Sequence, residues 1–219
     1  MNIIQQLLLL MAMMFIITAL YNFAGVLVCV AFRIKIKQIA IFYGKPVVAF
    51  PTRWGTLALG FIPTGGYVSM EDMADFEQRP PVIRVLLALA GPAATLSLSV
   101  LLLGPSEFRD QFIGGFSRVV SGAVSPLKIG TPFVQKFFML THASAVAGLG
   151  VLAALTTCVN LLPLPNFAGG RAVLEFFSVR RTDPKLELLT TFCAFAALAL
   201  MGSWGIALAN YFVHFSPSP

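Results

Sequence analysis

Histidine, cysteine and acid are all scarce in this chain. Two histidines, His142 and His214, and nine acidic residues are spread over 219 positions. No two histidines stand four apart, so no helix can offer a pair of imidazoles to a metal on one face. Cys29, Cys158 and Cys193 are odd in number and lie in or beside apolar runs, with no Cys-x-x-Cys pair among them. That excludes a disulfide framework and a thiolate metal site, and leaves them as small packing residues. A phosphate loop, a dinucleotide glycine pattern, a Cys-x-x-Cys-His haem site and a Ser/Lys or Ser/His pair at helical spacing are absent too. Charge itself is thin, at 11% of residues, where soluble domains carry about 25%.

What replaces charge is length of apolar run. Apolar residues make up 58% of the chain. Four stretches, residues 3–30, 82–103, 137–162 and 186–215, each reach the ~20 residues that cross a ~30 Å hydrocarbon core. The composition predicts a polytopic helical membrane protein. The first stretch lacks a basic residue before Arg33 and a clean small-x-small cleavage site, and is too long for a signal peptide, so it reads as a retained helix. The stretches carry almost no ionisable residue, which argues against a pump or transporter.

The net charge of +6 does not call for nucleic acid. Ten basic residues fall in two inter-helix loops: Arg33, Lys35, Lys37, Lys45, Arg53 and Arg79 in one, Arg171, Arg180, Arg181 and Lys185 in the other. The remaining loop has four: Arg109, Arg118, Lys128 and Lys136. The positive-inside rule then places both termini outside and the richer loops in the cytoplasm.

Between the first two stretches, residues 33–70 are too polar for a membrane helix and too apolar for an ordinary loop. Basic and aliphatic residues alternate from Arg33 to Lys37. An apolar run to Tyr43 meets Gly44 and Pro46, and a second extended run, Trp54 to Ile62, ends at Pro63-Thr64-Gly65-Gly66. Period-two alternation with Gly and Pro boundaries predicts short strands in a small sheet packed on the helices. Four of the nine acids crowd into residues 71–77, a solvated loop, and Pro80-Pro81 opens the second helix. Residues 105–136 are moderately polar. Phe108, Phe112 and Phe116 recur every four residues there, which fits either an interfacial helix or a loop packing its aromatics on the bundle. The expected organisation is one membrane domain over residues 1–215 and a short disordered tail, 216–219.

Four blocks in order carry a family resemblance. They are the first helix with the strand-like segment after it, then Pro63-Thr64-Gly65-Gly66-Tyr67-Val68, then Ala90-Gly91-Pro92-Ala93-Ala94-Thr95, then Asn160-Leu161-Leu162-Pro163-Leu164-Pro165-Asn166-Phe167-Ala168-Gly169-Gly170-Arg171. The chain resembles the site-2 proteases, intramembrane zinc peptidases, over about residues 10–180. The resemblance implies a core of about four transmembrane helices with a membrane-associated β-hairpin between the first two, and no PDZ insertion, since residues 105–136 are too few for one. Gly65, Gly66, Gly91, Pro92, Asn160, Pro163, Pro165, Gly169 and Gly170 are the fold motif. Their physics is independent of the name. Glycines permit turns and close approach, Pro163 and Pro165 cannot continue a helix, and Asn160 can pair with backbone groups that the break frees.

The resemblance also implies a His-Glu-x-x-His sequence on the first helix and an aspartate in the fourth block. Carried over by position, those residues are Tyr21, Asn22, Gly25 and Ala168, none of them a good zinc ligand. Glu175 lies near enough to reach the pocket, but one carboxylate does not make a zinc site. The expectation is therefore a pseudoprotease with no metal and no cofactor. It would act as scaffold, accessory or assembly subunit of a larger membrane complex, with lipids and other membrane subunits as partners. The alternative is a protein that binds a transmembrane or peptide client, added as a strand to the sheet, without cutting it. An active metalloendopeptidase is the weakest reading. The short four-helix form suggests a bacterial inner membrane. Asn22 has a plain structural use as polar glue between helices.

Overall fold

A computed structural model describes residues 2–177 and 184–214. Arg180, Arg181, Phe215 and the tail lie outside them. Helix α1 (Ile3–Ala31) opens on a capping box. The Asn2 side chain accepts from the Gln5 amide, and the Gln5 side chain accepts from the Asn2 amide. Its 29 residues extend about 44 Å at 1.5 Å each. Three helices are long and apolar enough to cross a bilayer: Ile3–Ala31, α3 (Pro81–Leu103) and the Glu187–His214 part of α8 (Pro184–His214).

The stretch at 137–162 is not the single span that its apolarity suggests. It breaks at Ser144 into α5 (Thr131–Ala143) and α6 (Ala145–Asn160). Ser144 is extended, and its hydroxyl caps α6 by accepting from the Ala147 amide at 3.2 Å. Sixteen residues give α6 about 24 Å, short of a ~30 Å core. It lies against α3, α4 (Pro105–Val124) and α5, with Gly148, Gly150, Ala153 and Ala154 buried. A short helix is tolerated there because protein rather than lipid surrounds it. Eight α-helices occur among the described residues, not four, because polar connections also fold.

Those connections correct one further expectation and decide another between helix and loop. The acidic segment holds a helix, α2 (Met73–Gln78), because Asp72 accepts from the amides of Ala74 and Asp75 at 2.9 and 3.0 Å. The 105–136 segment is not a loop. It is α4, a π-helical turn (Pro126–Gly130) and the start of α5. Along α4, Phe108 stacks on Phe112 at 5.4 Å and Phe112 meets Phe116 edge-on at 5.3 Å. Beside them on the same inward side, Gly115 seats against Cys158 of α6 and Gly122 against the Trp204 ring of α8. The outer core lies beneath, where Phe138 stacks on Tyr211 at 4.9 Å and Met13, Val134 and Val151 close around them.

The sheet is a single long hairpin, β1 (Ile36–Thr52) and β2 (Gly55–Met70). Both strands outrun the sequence expectation, since β2 continues through Pro63 and both glycines to Met70. The hairpin is also doubled over. Val48 to Thr52 pair with Leu59 to Gly55, and Gln38 to Ile41 pair with Ser69 to Gly66. Gln38 to Ile41 pair a second time, with Thr56 to Leu59, where the two numbers rise together. The base of β1 therefore lies between the two halves of β2. The bend falls where Phe42 and Gly44 take positive φ, 69° and 93°. A phenylalanine there is strained. It is held because Phe42 is buried and meets the Phe15 ring edge-on at 6.1 Å.

Polar contacts tie the inner helices. The Thr95 and Thr157 hydroxyls meet at 2.8 Å between α3 and α6, and Ser99 donates to the Gly150 carbonyl at 2.9 Å. Arg84 of α3 pairs with Glu175 of α7 (Ala168–Phe176) at 2.7 Å, with side chains only 12% and 10% exposed. Removing one partner of such a pair strands the other charge, at about 3–5 kcal/mol, whereas replacing both with apolar residues is far milder. Thermal melts in detergent should therefore rank Glu175→Leu and Arg84→Met each well below the R84M/E175L double variant. Singles no worse than the double would show that the pair is not a coupled clasp.

Candidate functional site

The four fold-motif blocks converge where α1 meets the sheet, α3 and the turn before α7. Each glycine there is explained by what crosses it. Gly91 of α3 lies directly under the Tyr21 ring, so a Cβ would overlap the ring carbons. Gly66 has the Ala40 carbonyl and the Asn22 side chain against it, with Nδ2 at 2.5 Å from a built Cβ. Gly169 and Gly170 press on the backbone of Leu161 and Leu164. There Pro163 and Pro165 have ended α6, and the chain turns back on itself to begin α7 at Ala168. Gly65 has φ 141°, a conformation that favours glycine, beneath the Tyr43 ring.

The positions that stand where ligands are expected are occupied by packing. Tyr21 Oη donates to Asn160 Oδ1 at 3.3 Å. Asn22 is buried, and its Nδ2 donates to the Ala40 carbonyl of β1 at 2.8 Å. It is polar glue, as expected, but it joins helix to sheet rather than helix to helix. Gly25 faces Val68 and Leu87, at 3.6 and 4.0 Å from a built Cβ. Ala168 is buried at the start of α7. The structure thus brings the Tyr21 and Asn22 neighbourhoods together with Asn160, Gly66 and Gly91.

Asn160 does something other than rescue freed carbonyls. Its Nδ2 donates to Thr156 of its own helix at 2.9 Å, and its Oδ1 receives Tyr21. Beside this cluster, Tyr43 donates to the Gly66 carbonyl at 3.3 Å and stacks on Tyr67. Burial raises the Tyr43 phenol above its ordinary value, and the Arg171 guanidinium partly offsets this. Tyr43 therefore stays a neutral donor.

Zinc does not fit this donor set. Zinc sites take Cys, His, Asp or Glu, with three protein ligands in catalytic centres. Here the candidates are a phenol engaged by Asn160, an amide engaged by Ala40, a glycine and a methyl group. No group of three His, Cys, Asp or Glu comes together among the described residues. His142 and His214 are exposed, at the ends of α5 and α8. Glu175 pairs with Arg84. Arg84 is the residue that sequence reasoning missed. A lone basic residue three positions into an apolar span was the available signal, because membrane charges are normally paired.

Asn22 carries the junction between helix and sheet. Replacing it with Ala leaves the buried Ala40 carbonyl short of a donor, which costs about 1–3 kcal/mol. Asn22→Ala should lower the melting temperature and speed backbone amide exchange in residues 38–41. Tyr21→Phe, which loses only a long and half-buried hydrogen bond, should change both much less. The reverse ranking would show that the phenol, not the amide, holds the site together.

Comparison with known proteins fits this geometry. The chain is 30% identical over 105 residues to a protein of Neisseria meningitidis named "Putative zinc metalloprotease", covering 42% of this chain and 23% of that one. It is also 30% identical over 105 residues to a protein of the same name in Thermotoga maritima, covering 42% and 21%. The matches thus span under a quarter of the relatives' lengths. The sequence model of peptidase family M50 matches residues 9–202. That match covers nearly the whole helical core, and the chain belongs to peptidase family M50, the site-2 protease family.

Proposed function

We propose that this chain is a catalytically silent member of its family, serving as a scaffold, accessory or assembly subunit of a larger membrane complex. One observation carries the reading: Tyr21, at the position carried over from the first expected histidine, packs its ring on Gly91 and bonds Asn160. Asn22 has no carboxylate to activate water and is already committed to Ala40. A subunit role is supported by α8, which presents Leu188, Phe192, Phe195 and Leu198 at 63–73% exposure. Such a face suits lipid or a neighbouring helix. Both termini outside the cytoplasm, in a bacterial inner membrane, is the orientation that the basic loops favour.

A second reading has its own support. The β1 segment from Lys45 to Thr52 is exposed throughout, and pairs on one side only, with β2. Val47 and Phe50 are 67% and 59% exposed along it. An open apolar edge is a template for an added strand, so a client peptide bound there without cleavage is consistent with the same silent centre.

Two measurements test these readings. Protein purified in mild detergent should carry far less than one zinc per chain and should leave helical substrates intact. Near-stoichiometric zinc, or cleavage by the pure chain, overturns the silent centre. A photocrosslinker at Leu198 should trap a partner subunit in fixed ratio under the first reading, and one at Val47 should trap a client under the second. Silence at both sites removes both binding roles.

A further inference from the structure

We infer that the junction of α1 with the sheet is a binding site for one phospholipid, with a headgroup that carries a phosphate and a primary ammonium. Two adjoining crevices share Trp54. One, of about 270 Å³, is lined by Val30, Lys35, Arg53 and Glu71 among others. The other, of about 200 Å³, is almost wholly apolar, with Ala19, Phe23 and Val26 of α1 facing Ile39 and Leu57 of the sheet. The folding back of the hairpin creates both, because it brings the tip at Arg53–Trp54 down to the base of β1.

The pair has the shape of a lipid set along the helix. From Val30 to Ala19, α1 rises about 16 Å, close to one leaflet's half of a ~30 Å core. The polar crevice lies at the end of α1 where the chain leaves the membrane, and the apolar one lies toward its middle. Trp54 stands at the boundary, as interfacial tryptophans do, with the Arg53 guanidinium 4.2 Å from its ring centroid. The Glu71 amide donates to the Lys35 carbonyl at 3.0 Å, which joins the two backbones at the foot of the hairpin, and both residues line the polar crevice.

The charges name the headgroup. Among the described residues, none of the ion pairs involves Lys35, Arg53 or Glu71. Two cations beside one acid suit a phosphate with an attached cation. Glu71 offers the crevice a carboxylate acceptor, to which a primary ammonium can donate and a quaternary one cannot. This inference does not depend on whether the centre is silent, since no residue of that argument other than Asn22 lines either crevice.

The chain has two tryptophans, so Trp204→Phe leaves Trp54 as the reporter. In proteoliposomes, phosphatidylethanolamine brominated on its acyl chains should quench Trp54 more than brominated phosphatidylcholine or phosphatidylglycerol at equal mole fraction. Lys35→Gln or Arg53→Gln should weaken the association about fivefold each, the worth of one basic residue near a lipid surface. Glu71→Gln should erase the preference over phosphatidylcholine. Ala19→Phe, which fills the tail groove, should lower quenching by all lipids. Native mass spectrometry of the unaltered chain, taken from a membrane holding all three lipids, is independent of the Trp204 change and should show one retained phosphatidylethanolamine. Equal quenching by ethanolamine and choline lipids, stronger quenching by the glycerol lipid, or no effect of Ala19→Phe each overturns the assignment.

Discussion

A β-hairpin held against membrane helices must satisfy its backbone without help from water. This one does so by pairing with itself. The base of β1, against the helices, is bonded on both sides by the two halves of β2. What remains on the helix side is met by Asn22, which donates to Ala40. Much else follows from that contact. It fixes the depth of the sheet along α1, and it requires Gly66, since a Cβ there would collide with both Ala40 and Asn22. It also brings Val68 over Gly25.

The scaffold and the chemistry are separable in this fold because different atoms carry them. Backbone approach is carried by glycines and prolines: Gly66 in the sheet over Asn22, Gly91 under Tyr21, and Gly169 and Gly170 against the turn that Pro163 and Pro165 begin. A metal would be carried by side chains at three positions around those approaches, and its water-activating base by a fourth. Filling those positions with a ring, an amide and two small groups leaves the approaches intact and removes the cost of an uncompensated polar pocket. Arg84 and Glu175 show the complementary case, in which charge inside the helical layer is kept because it is paired.

The sequence made the site's frame legible and its wiring less so. Pro-x-Pro is a local signal, tied to the turn that the chain makes after α6, and it was readable; Gly65 and Gly66, expected to end a strand, lie inside β2 and serve close approach instead. Long apolar runs, local signals too, marked α1, α3 and α8. The break at Ser144 was missed because hydropathy averages over a serine whose effect comes through one capping bond to Ala147. The doubled hairpin was missed because the pairing of Gln38 with Thr56 is set by a bend at Phe42 and Gly44. Alternation reports which face a residue takes, not which strand it meets. Arg84 was passed over because its partner lies 91 residues along the chain, on a short helix.

Installing zinc-site side chains at positions 21, 22, 25 and 168 is not a simple route to a metal centre. The pocket is shaped by its present occupants. Gly25 has Val68 and Leu87 at ordinary contact distance from a single added carbon, so an imidazole there must displace the sheet or α3. Moving the sheet strains the Asn22–Ala40 bond, and putting Glu at 22 removes that amide donor and sets a carboxylate against a carbonyl oxygen. Shrinking Tyr21 to His vacates the ring volume over Gly91 and leaves a cavity in a layer where voids forfeit contact energy. Each replacement therefore works against a contact that another fixes, and their effects should not add. Under the proposed reading, the packing around these positions works against a metal centre as much as the side chains that occupy them do.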